Sequence, residues 1–217
     1  MKLTTTTFVS VDGVMQGIGG PDEDRRGGFN RGGWTTPHLD KETATVVSLI
    51  CARAEAFLLG RRTYEIFAAS WGAMADPVDN PVAVSLNTLP KYVASTTLVE
   101  PSWANTIVLS REVPAALSEL KNTPGRELQV HGSGTLVRWL LAQGLIDELT
   151  LLIFPVVVGE GARLFPDSGP DTALELLESR TTTSGVTIQT YRPNGSPQYG
   201  AAACDMKHLS RDALVQQ

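Results

Sequence analysis

The sequence predicts a single α/β domain whose mainly parallel sheet is covered by helices on both faces. Strand-like and helical runs alternate along the 217 residues, the arrangement that joins parallel strands through crossover helices. Two of the strand-like runs are each followed by a glycine turn that opens a helix, at Gly60 and at Gly132–Gly134. Hydrophobic residues make up 42% of the chain and charged residues 19%, which suits one compact domain with a sizeable core.

Taken in order, Lys2 to Val11 alternates and is rich in Thr, Val and Phe, so it reads as a strand ended by the turn Asp12-Gly13. Residues 17–34, GIGGPDEDRRGGFNRGGW, form a long glycine-rich loop carrying Asp22, Glu23, Asp24, Arg25 and Arg26. Such a loop either folds over a ligand and excludes water or is a solvated charged connection. Residues 40–54, DKETATVVSLICARA, place apolar side chains at helical spacing with acids in the first turn. AFLLGRRTYEIF, residues 56–67, runs strand, glycine turn, helix. KYVAS (91–95) and TIVLS (106–110) are short strands, and VPAALSELK (113–121) is a helix with proline in its first turn.

Glu127 to Val130 starts another strand, which the turn at Gly132 hands to the helix TLVRWLLA. Asp147-Glu148 closes the next loop, ELTLLIFPVVVG (148–159) reads as one long apolar strand, and GVTIQTY (185–191) as the last. The domain is expected over 1–192. Residues 193–217 form a polar tail that is either loose or docked through a short helix. Trp71, Trp103 and Trp139 are expected in the core or at an interface.

Composition excludes several classes of function. A formal net charge of −5 gives no basic face for nucleic acid. The two cysteines, Cys51 in an apolar helical run and Cys204 in the tail, do not make a disulfide framework or a zinc site. MKLTTTTFVS lacks the apolar core of a signal peptide, and no run is long enough to span a membrane. The expectation is a cytoplasmic protein with a small-molecule substrate, no metal and no membrane partner.

Gly132, Ser133 and Gly134, at a strand end that opens a helix, offer backbone N–H groups and a positive helix end to an anion such as a pyrophosphate. The alternative is a tight βα connection without a ligand. The turn is neither the GxGxxG fingerprint nor a P-loop, and His131 stands where a GxSxG elbow has its first glycine. Gly60-Arg61-Arg62-Thr63 repeats the arrangement. Its arginines either recognise phosphate through charge-assisted bonds or lie over the helix start as surface charges. Two such turns in one sheet point to an extended phosphate ligand across the strand ends, where open α/β sheets bind ligands.

FVSVDGV (8–14), LLGRRTYE (58–65), KYVAS (91–95) and LQVHGSGTLVRWLLAQGLIDELTLLIFPVVVGEGARLF (128–165) together resemble the dihydrofolate-reductase-like superfamily. Within it, the chain looks like the branch related to the C-terminal reductase domain of the bacterial riboflavin-biosynthesis protein RibD, over roughly Lys2 to Arg192. The resemblance implies that fold, with an antiparallel C-terminal edge to the sheet, and a site for NADPH. Gly60, Arg61, Arg62 and Thr63 would lie near the phosphates, and Ser95 and Thr96 near the 2′-phosphate, favouring NADPH over NADH. His131, Gly132, Ser133, Gly134, Thr135 and Leu136 would support the pyrophosphate and approach the nicotinamide. Val9, Asp12 and Gly13 would line the nicotinamide side.

Hydride transfer requires the reactive carbon held close to the acceptor and, often, a proton donor. Dihydrofolate reductases carry an acid a few residues after a Trp, at the start of the first long helix. Trp34 and Asp40 have approximately that relation in GGWTTPHLDKE, and Glu42 is equally placed. The other reading of Asp40 is a helix N-cap; His38 is a second donor candidate or an exposed loop histidine. Trp34 would face the substrate. Glu160, at a strand end in GEG, either faces the substrate pocket or only makes a turn.

The implied function is an NADPH-dependent reductase of a small heterocyclic or carbonyl compound. It would act like 5-amino-6-(5-phosphoribosylamino)uracil reductase, converting a ribose to a ribityl chain, or like dihydrofolate reductase. The His-x-Glu and Pro-Cys-x-x-Cys signature of the accompanying deaminase does not occur in these residues. The alternatives are a non-catalytic NADP(H)-binding regulatory protein and an interaction module whose glycine turns bind nothing. A homodimer is expected.

Overall fold

The computed structural model describes residues 1–74, 78–169 and 171–200. Its strands are β1 (Lys2–Ser10), β2 (Ala54–Gly60), β3 (Lys91–Ala94), β4 (Thr106–Leu109), β5 (Glu127–His131), β6 (Glu148–Phe154), β7 (Leu174–Thr181) and β8 (Thr187–Pro193). The helices are α1 (Lys41–Cys51), α2 (Arg61–Ser70), α3 (Pro81–Thr88), α4 (Val113–Asn122) and α5 (Gly134–Ala142). The strands form one sheet in the order β4-β3-β2-β5-β1-β6-β8-β7. Neighbours from β4 to β6 are parallel, whereas β8 runs antiparallel to both β6 and β7. The expected α/β class, parallel sheet and antiparallel C-terminal edge are all present.

Strand alternation sorts the core onto two faces. Leu3 and Val9 of β1 and Leu128 and Val130 of β5 pack with Leu117 of α4 and Val137 and Leu140 of α5. Opposite them, Leu152 and Phe154 of β6 pack with Val46 and Ile50 of α1 and with Trp34. Phe57 and Leu59 of β2 join Tyr64, Leu86 and Trp103 on a third cluster. Each of these fully buried large side chains contributes about 2 kcal/mol of transfer free energy. Trp103 is buried in that third cluster, and Trp71 and Trp139 pack against the core from partly buried positions.

Three elements differ from the sequence reading. The apolar run at 148–159 stays in the sheet only to Phe154. Pro155 cannot donate to a ladder, and beyond it the N–H groups of Val158 and Gly159 turn to the Asp12 carboxylate at 2.9 and 2.8 Å. Helix α3 was not expected; Asn80 caps it by accepting from Val82 N and Ala83 N, with Pro81 at its first position. Strand β7 was also not expected, because every residue of LELLESRT is exposed and no buried face imposes alternation.

Residues 201–217, with Cys204 and the site of the expected docking helix, lie outside the described residues. No helix among the described residues is long and apolar enough to cross a membrane.

Candidate active site

A cavity of about 960 Å³ opens at the C-terminal ends of the parallel strands, near the upper limit of roughly 300–1,000 Å³ for ligand pockets. Two turns form its floor. Gly60 ends β2 and hands the chain directly to α2, while Gly132 and Ser133 connect β5 to α5. Gly132 (φ 57°) and Ser133 (φ 52°) are consecutive left-handed residues, so the chain reverses within two positions. The first costs little as glycine; the second carries a side chain at some cost.

That side chain is used. Ser133 Oγ accepts the Gly60 N–H at 3.0 Å, and Ser133 N–H donates to Thr63 Oγ1 at 3.1 Å. The Gly132 N–H donates back to Thr6 O at 3.1 Å, tying the turn to β1. Neither α2 nor α5 has a side-chain cap over its first turn. Both helix starts therefore present uncapped N–H groups and positive dipole ends within one cavity wall.

Charge around these turns is positive. Arg61 pairs with Glu65 at 2.6 Å and donates to Thr97 Oγ1 at 2.7 Å. Arg62 lines the same wall and makes no ion pair with a described residue. Ser95 and Thr96 follow β3 at this end; Ser95 Oγ accepts from Thr97 N and Leu98 N.

The glycine-rich loop borders the other end through Gly17, Ile18, Gly19, Glu23, Asp24 and Arg26. Gln16 holds it: Nε2 donates to Asp24 O at 3.1 Å and Arg26 O at 3.0 Å, and Oε1 accepts from Ala162 N at 2.9 Å. Burial raises the Glu23 carboxyl above its ordinary pKa, against the Gly19 N–H that it accepts at 2.9 Å.

Gly60, Arg61, Arg62, Thr63, Ser95, Thr96, His131, Gly132, Ser133, Gly134, Thr135 and Leu136 all lie in the cavity wall. Eight other candidates, Val9, Asp12, Gly13, Trp34, His38, Asp40, Glu42 and Glu160, are not in that wall. Val9 turns into the α4–α5 core. Burial pushes Asp12 up, but bonds from Ser10, Val158 and Gly159 outweigh it and hold the carboxyl down at about 2. Gly13 (φ 79°) closes the turn after β1, its N–H on Ser10 O. Trp34 is buried; its indole N–H donates to Gln16 O at 2.8 Å and its ring meets Phe154 edge-on.

Of the two readings of Asp40, the helix N-cap is the one that the structure shows. Asp40 caps α1, accepting from Thr43 N at 2.7 Å, and its second oxygen takes Thr183 Oγ1 at 2.7 Å and Ser184 N at 3.0 Å. Glu42 accepts from Thr183 N at 2.9 Å, so both acids tie α1 to the β7–β8 turn. Glu160 pairs with Arg31 at 3.2 Å. His38 places its ring 6.3 Å from Phe154, also outside the wall.

The sequence reading missed Thr6, Met15, Gln16, Arg138 and Arg163, which also line the cavity. Met15 packs its thioether against Gly134 at the start of α5, where a Cβ would make the flexible side chain shift.

The family model for the RibD C-terminal domain matches residues 1–188. The uncharacterized protein YyaP of Bacillus subtilis (strain 168) is 30% identical over 142 residues, 65% of this chain and 75% of YyaP. A protein from Shewanella sp. PV-4 named as a candidate riboflavin biosynthesis protein superposes with TM-score 0.65 at 20% identity, covering 89% of this chain and 99% of its own. A pyrimidine reductase-like protein from Corynebacterium diphtheriae superposes with TM-score 0.57 at 15% identity, covering 89% and 92%.

Proposed function

Because the chain belongs to the RibD C-terminal domain family, we propose that it is a reductase that uses NADPH to reduce a small heterocyclic or carbonyl compound. The observation that carries the reading is the pair of uncapped helix starts, α2 and α5, joined through Ser133 and opening on one cavity beside Arg61 and Arg62. Bound NADPH would supply the hydride.

The chain's own residues would do the rest. First-turn N–H groups of α2 and α5 hold a pyrophosphate, and Arg61, Arg62, Ser95 and Thr96 hold a 2′-phosphate by charge-assisted bonds. The left-handed turn at Gly132 lets backbone approach the nicotinamide closely. The loop from Gly17 to Gly33 excludes water from the reacting carbon. A pyrimidine of the riboflavin pathway, 5-amino-6-(5-phosphoribosylamino)uracil, is the first substrate to test. Both structural relatives carry names of that chemistry. The engagement of Asp40 outside the cavity favours a second reading, an NADP(H)-binding protein without turnover.

The test is a titration with NADPH and NADH followed by tryptophan quenching, repeated for Arg61→Ala and Arg62→Ala. Losing a charge-assisted bond worth about 1.5–3 kcal/mol weakens NADPH binding roughly tenfold or more, with a smaller effect on NADH. If neither nucleotide binds, the reading fails. Binding without NADPH oxidation over pyrimidines, pterins and simple carbonyls would select the second reading.

We also infer a homodimer. Strand β7 is the outer edge of the sheet and exposes Leu174, Leu176 and Leu177, an apolar edge of the kind that a partner covers.

A further inference from the structure

Strand β5 reads ELQVH, and its two faces differ. Leu128 and Val130 enter the α5-side core, while Glu127, Gln129 and His131 share the opposite face in the middle of the sheet. Polar groups there need partners, and they find them in a chain. Glu127 Oε1 accepts from Arg53 Nε at 2.7 Å, and Oε2 accepts from Thr4 Oγ1 at 3.2 Å and Gln129 Nε2 at 2.6 Å. Gln129 Nε2 also donates to Ile50 O at 2.7 Å. A carbonyl and a carboxylate both only accept, so the Gln129 amide has one orientation and its Oε1 faces His131 Nε2 at 3.0 Å.

The consequence is a defined tautomer. Gln129 Oε1 can only accept, so His131 carries its proton on Nε2 and Nδ1 is left as the acceptor. Burial depresses the imidazolium to a pKa of about 4, with the Glu127 charge opposing. Glu127, whose charge reaches His131 from beyond Gln129, is itself paired with Arg53, and Cys51 of α1 lines the same cavity.

This part of the wall is otherwise apolar: Phe8, Leu39, Val47 and Cys51. Thr35 spends its hydroxyl proton on Ile18 O. Thr6 sits directly beside His131 across the β1–β5 ladder, and neither its hydroxyl nor His131 Nδ1 has a partner among the described residues. We propose that Thr6 and His131 form a substrate-selecting pair, which binds a neutral planar ring bearing an N–H or O–H donor. A carboxylate or phosphate is excluded from that half of the cavity, because His131 offers it a lone pair and no cation. The proposal deepens the reductase reading and rests on it for the word substrate.

Two measurements test it. In protein labelled with 15N-histidine, with His131→Asn to assign the signals, NMR at pH 6–8 should show His131 neutral and protonated on Nε2; Gln129→Met should release that tautomer. A cationic ring at pH 7, or a proton on Nδ1, overturns the lock. The second compares 2-aminopyrimidine, pyrimidine and orotate binding to the wild type saturated with NADP+. One hydrogen bond worth about 1–1.5 kcal/mol makes 2-aminopyrimidine bind roughly tenfold tighter than pyrimidine, with orotate weakest. The preference should disappear in His131→Phe and partly return in His131→Asn, whose carbonyl again accepts. Equal binding of the three probes, no binding of 2-aminopyrimidine, or a preference that survives His131→Phe overturns the selection. NADPH binding by the wild type judges the reductase reading separately, and the NMR result stands whatever that shows.

Discussion

Ser133 and Gly60 are 73 positions apart, and a 3.0 Å hydrogen bond joins them, the serine hydroxyl accepting the glycine amide proton. With the return bond from Ser133 N–H to Thr63 Oγ1, it makes two separate βα turns into one rigid floor. Ser133→Ala leaves the Gly60 N–H without its partner, which costs about 1–2 kcal/mol. Urea denaturation should show that loss. A double-mutant cycle with Thr63→Val should show coupling, because the two bonds share one interface. Additive effects would mean that the turns are not held by this pair.

Asp40 is engaged by the fold on both carboxylate oxygens. Its carboxyl is held well below the usual carboxylate range, first by the Thr43 backbone N–H and then by Thr183 and Ser184. A depressed native pKa gives stabilisation that is present above the unfolded value, near pH 4, and is lost as pH falls through the native value. Asp40→Ala should therefore lower Tm at pH 7, with the gap to wild type closing under acid. NADPH oxidation per folded molecule should not change. A collapse in turnover at unchanged Tm would return Asp40 to the active site.

Lys91 is fully buried at the start of β3. Its ammonium donates to Leu86 O at 2.8 Å and Leu89 O at 2.9 Å and lies 4.6 Å from the Trp103 ring centre, so it closes the C-terminal end of α3. Lys91→Met keeps the volume but leaves carbonyls unpaired, and should destabilise by about 2–3 kcal/mol. Chemical denaturation measures this, and a neutral result would show that water replaces the amine.

At the sheet edge, Leu176→Lys puts a charge on the apolar strand that we assign to the dimer. Light scattering after size exclusion should report a dimer for the wild type and a monomer for the variant. A wild-type monomer at micromolar concentration would remove the dimer.

The sequence by itself determined what depends on neighbours along the chain. A strand, a glycine and a helix start are contiguous, so both glycine turns, from Gly60 to Thr63 and from His131 to Leu136, were legible as positions in the cavity wall. Alternation also marked most strands, because one or both of their faces are buried. It could not mark β7, whose side chains are all exposed and whose partner β8 alone defines it.

Tertiary structure decided which polar groups face the cavity. Asp40 and Glu42 looked available until Thr183 and Ser184, more than 140 residues away, took their oxygens. His131 looked like a flank of a glycine turn until Gln129, pinned by Ile50 O and Glu127, set its tautomer. A buried hydrogen-bonding group is defined by the partner that satisfies it, and here the partners are supplied by packing strands and helices that are far apart in the chain.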